Sequence, residues 1–256
     1  MDDRTAQAYL ERIGASGPIA PTLEHLATLM EAHLATVPFE NLSIHLGEPV
    51  DLAEEALTDK IVSRRRGGFC YELNGGFAAL LRHLGFDVTL LAARVHTPDG
   101  LGPPYDHLTL RVDRDEPWLV DVGFGRFISR PVRLLVGEDQ TDPTAGTVRF
   151  VEAPYDDLDV LVDGEPQIRI DLRPRELSEF VATCWWHQTS PASHFTRSMT
   201  CSLPTASGRV TLSDRLLITT VDGVRTEIEL GSDDEVLAAY RAHFGFDLTR
   251  LPVLAA

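Results

Sequence analysis

Apolar residues in the first third of the chain recur at the spacing of amphipathic helices. In a helix predicted to begin at Cys70 they fall at i, i+4, i+7, i+8 and i+11, and Gly85 ends the pattern. These positions are Leu73, Phe77, Leu80, Leu81 and Leu84. Two more helices are predicted over 4–13 and 22–36, and another begins near Asp51, where "DLAE" has the spacing of a capping box.

The middle of the chain changes to short runs rich in β-branched residues, which predict an antiparallel sheet or barrel. Helical spacing returns near 174–183 and again from Ser232 to about Phe244. The predicted strands are 87–95, 107–112, 117–122, 132–136, 147–152, 159–162, 167–171, 208–212, 214–220 and 224–230. Natural cuts near 88 and 190 predict three domains, which span 1–88, 89–190 and 191–256.

The composition and charge of the chain disfavour several classes of binding partner. The 256 residues carry a formal net charge of −16, which disfavours nucleic acid and anionic membranes as partners. A local cluster at Arg64, Arg65 and Arg66 could still bind an anionic small molecule. Apolar runs stay below the ~18 residues of a membrane span. Three dispersed cysteines and a polar start, "MDDRTAQAYL", predict a reducing, cytoplasmic location.

Cys70 is the main candidate for chemistry. It follows Gly67 and Gly68, which permit unusual backbone conformations and leave room for a ligand. It also opens a helix, where unpaired N–H groups and the helix dipole favour a thiolate and could stabilise an oxyanion. The alternative is a small buried cysteine without reactivity, which is the commoner role of a free cysteine.

A thiolate nucleophile needs a histidine partner and a carboxylate that orients it. His107 opens one predicted strand and Asp121 ends the next. A loop of odd length centred on Arg114 would place them directly opposite each other on one face. A two-residue loop would instead pair His107 with Val122 and turn Asp121 away. A hydrogen-bonded strand histidine and a strand-end cap are the structural alternatives.

The remaining candidates for functional residues are two glycines and a weak metal-binding motif. Gly123 and Gly125 form a tight bend after Asp121, and we expect their backbone to contact a cofactor. "CWWH" pairs Cys184 with His187 at a ligand-like spacing, but it lacks a second pair, so core packing beside the tryptophans is favoured. No metal site is predicted, and the chain has no dinucleotide or phosphate-loop motif.

Several segments together resemble the arylamine N-acetyltransferases. In chain order they are "VPFENLSIH" (37–45), "RRGGFCYELN" (65–74), "DHLTL" (106–110), "LVDVGFG" (119–125) and "SPASHFT" (190–196). The resemblance spans most of the chain and is weakest over 126–185 and beyond 200. One departure is Gly76, which replaces a larger residue and loosens its helix by ~1 kcal/mol relative to alanine.

The resemblance implies a fold of class α+β. Its parts are an N-terminal helical bundle carrying the nucleophile, a central antiparallel β-barrel carrying His and Asp, and a C-terminal α/β lid, around a cysteine-protease-like Cys/His/Asp core. It maps that triad onto Cys70, His107 and Asp121. The apolar positions that line the acceptor pocket in this family map onto Phe39, Val95, Phe124 and Phe195.

The resemblance also implies a reaction. Acetyl-coenzyme A would donate an acetyl group to Cys70, and an arylamine, arylhydrazine or arylhydroxylamine would accept it in ping-pong order. The length of the chain fits the bacterial type. Three alternatives remain: an amide synthase that releases a carrier-bound polyketide, a cysteine hydrolase that uses water, and a non-catalytic ligand-binding protein on the same fold. Neither the oligomeric state nor the physiological acceptor follows from the sequence.

Overall fold

A computed structural model describes residues 1–254. The first third of the chain is helical, as the apolar spacing predicted. Asp2 and Thr22 cap two of its helices, because their side chains accept hydrogen bonds from the N–H groups of Thr5 and His25. The α-helices are α1 (Asp3–Arg12), α2 (Leu23–Thr36), α3 (Leu42–His45), α4 (Glu54–Thr58), α5 (Cys70–His83), α6 (Val181–Thr189), α7 (His194–Arg197) and α8 (Asp233–Phe244).

Nine strands form one antiparallel sheet that curves into a nearly closed barrel. They are β2 (Asp87–Thr97), β3 (Gly100–Leu101), β4 (His107–Asp113), β5 (Pro117–Val120), β6 (Val132–Arg133), β7 (Asp139–Asp142), β8 (Gly146–Glu152), β9 (Leu158–Val162) and β10 (Glu165–Arg175). Their order is β6-β5-β4-β2-β10-β9-β8-β7, with β3 beside β2. The Gln140 amide bridges the two ends, because it accepts from the Arg133 N–H at 2.9 Å and donates to the Arg133 carbonyl at 2.7 Å.

A second antiparallel sheet belongs mainly to the C-terminal part. Its strands are β1 (Phe39–Glu40), β11 (Cys201–Thr205), β12 (Gly208–Ser213), β13 (Leu216–Val221) and β14 (Val224–Glu229), hydrogen-bonded in that order. The short strand β1 also meets the turn before α5, where the Glu40 N–H donates to the Gly68 carbonyl at 2.8 Å. The C-terminal sheet is therefore joined directly to the turn that precedes Cys70.

The buried side chains form two clusters. The larger one joins α1, α2 and α5 to the inside of the barrel, so the helical region and the barrel share a core. The smaller one lies between the second sheet and α8, and it includes Leu42 and Leu46 from the N-terminal third. The domain boundaries at 88 and 190 stay a prediction.

Two local expectations are wrong, and strand β11 has no counterpart among the predicted strands. The helix predicted over 174–183 lies later, because β10 continues to Arg175 after a register shift and a 3-10 turn precedes α6. The capping box at Asp51 does not form: α4 begins at Glu54, and the Asp51 carboxylate accepts from the Ala53 N–H instead. Strand β11, which lies beside β1, was not predicted.

A buried ionic network anchors the turn before α5. Lys60 Nζ lies 2.5 Å from Glu72 Oε1, and Arg66 Nε donates to Glu40 Oε1 at 2.9 Å. The Glu72 carboxylate also accepts from the Phe69 N–H at 3.2 Å. Burial raises the pKa of Glu72 although Lys60 opposes it, whereas the charges of Arg66 and Lys60 outweigh burial and lower the pKa of Glu40.

Substituting Lys60→Met is expected to destabilise the fold by about 3–5 kcal/mol at neutral pH, because Glu72 is left buried without its partner. The pKa of Glu72 then rises further, so the loss grows with pH between the pKa of Glu72 in the unmodified chain and its higher value in the variant, and it levels off above that value. Below about pH 4 the carboxyl is protonated in both the folded and the unfolded state, and the loss is smallest there. Urea unfolding at both pH values measures this. Arg64→Met, which breaks a more exposed pair with Glu48, is the control and should cost under about 1 kcal/mol. Equal losses in the two variants would contradict the role of Lys60.

Candidate active site

Cys70 is the first residue of α5 and is buried. Gly67 and Gly68 precede it, but the space beside them is filled by protein. A Cβ on Gly67 would lie 1.7 Å from the Pro38 carbonyl oxygen, and one on Gly68 would lie 2.5 Å from a Glu72 oxygen. The room that the sequence assigned to a ligand at these glycines is therefore used for close packing, and that expectation is wrong.

His107 and Asp121 form a buried pair. His107 Nε2 lies 2.6 Å from Asp121 Oδ2, and both side chains are at most 3 % exposed. The second carboxylate oxygen, Asp121 Oδ1, accepts from Asn74 Nδ2 at 3.0 Å and from the Gly123 N–H at 2.9 Å. Each carboxylate oxygen thus has its own partners, which fixes the orientation of the imidazole.

The pair stays charged in spite of its burial. Burial alone would lower the pKa of His107, but the negative charge of Asp121 and hydrogen bonds to Asp121 and Cys70 raise it above its usual value. Burial would raise the pKa of Asp121, but the charge of His107 and the hydrogen bonds from His107, Asn74 and Gly123 keep it below its usual value. His107 is therefore an imidazolium at neutral pH, with Cys70 among the groups that stabilise its charge.

The β4–β5 register differs from both sequence alternatives. The observed pairs, such as Leu110 with Val120 and Asp113 with Pro117, centre on residue 115. The loop has odd length, as one alternative required, but its centre lies one residue further along. His107 and Asp121 consequently share a face as diagonal rather than direct neighbours, and long side chains still meet at that distance.

Tyrosine and main-chain groups surround the nucleophile. The Cys70 Sγ lies 3.9 Å from the Asp106 carbonyl oxygen. The Tyr71 hydroxyl donates to the Tyr105 carbonyl at 2.8 Å and to the Asp106 carbonyl at 3.1 Å. The segment immediately before His107 is therefore tied to the first turn of α5.

A cavity of about 540 Å³ opens beside the His107–Asp121 pair. Its lining includes Asp121, Phe124, Gly125, Phe127 and Arg209. The Phe124 ring meets His107 edge-on with the ring centroids 5.2 Å apart, and it lies 5.0 Å from the Phe127 ring. The cavity thus joins an aromatic wall to the polar pair, which suits a small aromatic molecule.

The other three predicted acceptor contacts are not among the residues that line this cavity. The rings of Phe39 and Phe195 are 6.3 Å apart, and Phe195 packs on Phe69. Val95 is half-buried on β2, opposite Ile168. Contacts of Phe39, Val95 and Phe195 with an acceptor stay predictions.

The two glycines after Asp121 differ in their surroundings. A Cβ on Gly123 would lie 2.7 Å from both Cys70 Cα and Asn74 Nδ2, so this residue packs against the nucleophile's own backbone. Gly125 has a φ of +88°, and a Cβ on it would lie 3.2 Å from the Phe39 ring. Contact of either glycine with a cofactor stays a prediction.

Two positioning groups escaped the sequence analysis. Asn74 lies one helical turn after Cys70, and besides Asp121 it binds the Val122 N–H at 2.9 Å. Its i+4 spacing from Cys70 was a usable signal. His187 is also buried and has its Nε2 3.1 Å from Asp106 Oδ1. The sequence favours core packing for it, which agrees with its burial, but of the neighbouring tryptophans Trp185 is 64 % exposed.

Within residues 1–254, no group of three or more His, Cys, Asp or Glu side chains is arranged to hold a metal ion. None of the helices in this range combines the length and the apolar character that crossing a membrane requires.

The sequence matches known proteins along most of its length. A family model described as N-acetyltransferase matches residues 22–253. An arylamine N-acetyltransferase of Mycolicibacterium smegmatis is 38 % identical over 252 residues, which are 94 % of this chain and 91 % of the relative. The family model therefore spans α2 to α8, the barrel and the second sheet.

Solved structures agree with this match. Mycobacterium marinum arylamine N-acetyltransferase in complex with CoA superposes with a TM-score of 0.84 at 34 % identity, covering 94 % of this chain and 92 % of that one. A Bacillus cereus arylamine N-acetyltransferase, described with a unique Cys-His-Glu catalytic triad, gives a TM-score of 0.88 at 25 % identity over 97 % of this chain and 100 % of that one. The protein belongs to the arylamine N-acetyltransferase family.

Proposed function

We propose that the protein transfers an acetyl group from acetyl-coenzyme A to the nitrogen of an arylamine, arylhydrazine or arylhydroxylamine. The observation that carries this is the buried His107–Asp121 pair, whose imidazole is hydrogen-bonded to the helix-opening Cys70 and whose carboxylate borders a cavity with aromatic walls. The M. marinum relative was solved with CoA, which supports the choice of donor. In this proposal Cys70 is the nucleophile, His107 the proton carrier and Asp121 the group that orients it.

The first half-reaction acetylates the enzyme. The Cys70 thiolate, paired with the His107 imidazolium, attacks the thioester carbonyl carbon. In the first turn of α5 the N–H groups of Glu72 and Leu73 donate to the Phe69 carbonyl, whereas those of Cys70 and Tyr71 remain to stabilise the oxyanion that forms. When the carbon–sulfur bond to coenzyme A breaks, His107 protonates the departing thiolate. Acetyl-Cys70 and a neutral imidazole remain.

The second half-reaction returns the enzyme to its starting state. The acceptor nitrogen attacks the acetyl-Cys70 carbonyl, and the neutral His107 takes the proton that this nitrogen loses. Cys70 leaves as a thiolate, which restores the thiolate–imidazolium pair, and the N-acetylated product departs. Phe124 and Phe127 offer the aryl ring of the acceptor stacking surfaces, each aromatic pair contributing about 0.5–1.5 kcal/mol beyond burial.

Steady-state kinetics test this proposal. Initial rates with acetyl-coenzyme A and an arylamine both varied should give parallel double-reciprocal lines, because the two half-reactions share one acyl-enzyme. Release of acetate that an arylamine does not suppress would indicate a hydrolase. Turnover only with a carrier-bound thioester would indicate an amide synthase.

Substituting Gly123→Ala should slow acetylation of Cys70 by tenfold or more, because the new Cβ would meet Cys70 Cα and Asn74 Nδ2 at 2.7 Å. The clash displaces the nucleophile from His107, so single-turnover acetylation is the measurement. Gly231→Ala is the matched control, since the nearest atom to its Cβ is 3.7 Å away. Equal acetylation rates in the two variants would contradict the packing role of Gly123.

A further inference from the structure

Strand β14 is the outer strand of the C-terminal sheet. Within residues 1–254 it pairs with β13 on one side only, and all six of its residues are exposed. A two-residue turn at Asp222 and Gly223, with φ values of 49° and 80°, closes the β13–β14 hairpin. An exposed edge of this kind presents unpaired N–H and C=O groups that can pair with another strand.

The hairpin register determines which groups of β14 are free. The Leu230 N–H donates to the Arg215 carbonyl at 2.9 Å, and hydrogen-bonded pairs alternate from there along an antiparallel ladder. Val224, Thr226 and Ile228 therefore direct their backbone groups toward β13. Arg225 and Glu227 direct theirs outward, away from the rest of the sheet.

The sequence of β14 is self-complementary about its centre. When two β14 strands pair in antiparallel fashion about a two-fold axis at Thr226, Arg225 of each copy lies opposite Glu227 of the other copy. Val224 of each copy likewise lies opposite Ile228 of the other copy. The outward backbone groups of Arg225 and Glu227 then face each other and form the ladder. We propose that two copies of the chain associate through β14 in this register and extend the five-stranded sheet across the two-fold axis.

The charges select this register over its neighbours. A two-fold axis at residue 225 would set Arg225 against Arg225 of the second copy, and one at residue 227 would set Glu227 against Glu227. Like charges directly opposite each other destabilise a strand pair. An axis at residue 226 gives opposite charges at both sites.

An apolar stripe accompanies the charged edge. Val221, Val224 and Ile228 are 50 %, 66 % and 58 % exposed, which is unusual for large aliphatic residues in a strand. They lie on one face of the hairpin, where Val221 pairs with Val224 and Leu217 pairs with Ile228. In the proposed dimer the apolar stripes of the two copies form one continuous surface, and each stripe buries part of the other.

The proposed interface is separate from the active site. In the sheet β14 lies two strands from β12, whose Arg209 lines the cavity beside Asp121, and three strands from β11, whose Pro204 and Thr205 also line it. Dimerisation therefore leaves the cavity open. Each copy carries a formal charge of −16, so association requires enough salt to screen the long-range repulsion. At physiological ionic strength the screening length is about 8 Å, which leaves direct contact pairs effective.

Charge exchange across the edge tests the proposal. Sedimentation velocity over micromolar protein concentrations at physiological salt should show a monomer–dimer equilibrium for the unmodified chain. Arg225→Glu and Glu227→Arg each set like charges opposite each other and should weaken association by about tenfold or more. The double variant restores opposite charges and should restore association. Arg4→Glu, at an exposed position of α1, is the control for net charge.

Each possible result of these sedimentation experiments either supports or overturns the proposed dimer. A monomer at every concentration overturns the proposal, and so does a dimer that both single variants leave intact. Weakened single variants without rescue in the double variant overturn the register at Thr226. Acetyl transfer should be unchanged in all variants, because none of them touches the cavity. That readout shows that the fold is intact, and it does not depend on whether dimers form.

Discussion

Substituting Cys70→Ala is expected to reduce acetyl transfer to the uncatalysed background while the protein stays folded. In the proposed mechanism the acetyl group passes through Cys70, and an alanine methyl group cannot hold it. The thiol is small and buried, so its removal should change the free energy of unfolding by only about 1 kcal/mol. Turnover with acetyl-coenzyme A and an arylamine, together with thermal unfolding, measures both effects.

Cys184→Ala is the matched control for this substitution. Cys184 is also a free buried cysteine, but burial raises the pKa of its thiol far above the usual value, so it stays protonated and inert. Its removal should cost similar stability and leave turnover intact. Turnover that survives in Cys70→Ala, or disappears in a folded Cys184→Ala, would refute the assignment of the nucleophile.

The Asp121→Asn variant should fold, and its kcat should fall by a factor of about 10³–10⁴. This loss is comparable with that caused by the same change in a serine-protease triad. Two N–H donors, from Asn74 and Gly123, hold Oδ1, so the amide oxygen must stay there. The amide NH₂ then faces His107 Nε2, which must become an acceptor. The proton moves to Nδ1, the nitrogen that faces away from Asp121, so His107 can no longer take a proton there.

The substitution should also change the charge state of His107. In the unmodified chain Asp121 holds the pKa of His107 up, so the imidazolium persists at neutral pH and is lost only as pH rises through that raised pKa. Without the charge of Asp121 the pKa of His107 falls, so a smaller fraction of the imidazole is charged at neutral pH. Alkylation of Cys70 by iodoacetamide at neutral pH should therefore slow in Asp121→Asn. Unchanged alkylation and turnover would show that Asp121 only caps the strand.

The helices were predictable because their signals are local. The apolar spacing after Cys70 and the caps before α1 and α2 lie within a few residues of the elements that they define. The shared face of His107 and Asp121 was also within reach, because any odd loop between the two strands produces it. The centre of that loop could not be predicted, because a turn can move by one residue without changing the hydrophobic pattern.

Contacts between segments that are far apart in the chain leave no local signal in the sequence. Strand β1 has two residues, and it exists because it pairs with β11, about 160 positions later in the chain. The Asp106–His187 contact likewise joins the barrel to α6. Sequence spacing cannot reveal pairs of this kind. Asn74 is the exception, because it lies on the same helical face as Cys70 and could have been proposed.

Intact-protein mass spectrometry after mixing with acetyl-coenzyme A alone tests the central claim most directly. We predict a mass increase of one acetyl group, which peptide mapping places on Cys70 and which an added arylamine removes. That single series identifies the donor, the nucleophile and the class of acceptor. An unmodified Cys70 that still reacts with iodoacetamide would point to another acyl donor. A Cys70 that reacts with neither reagent would contradict the account.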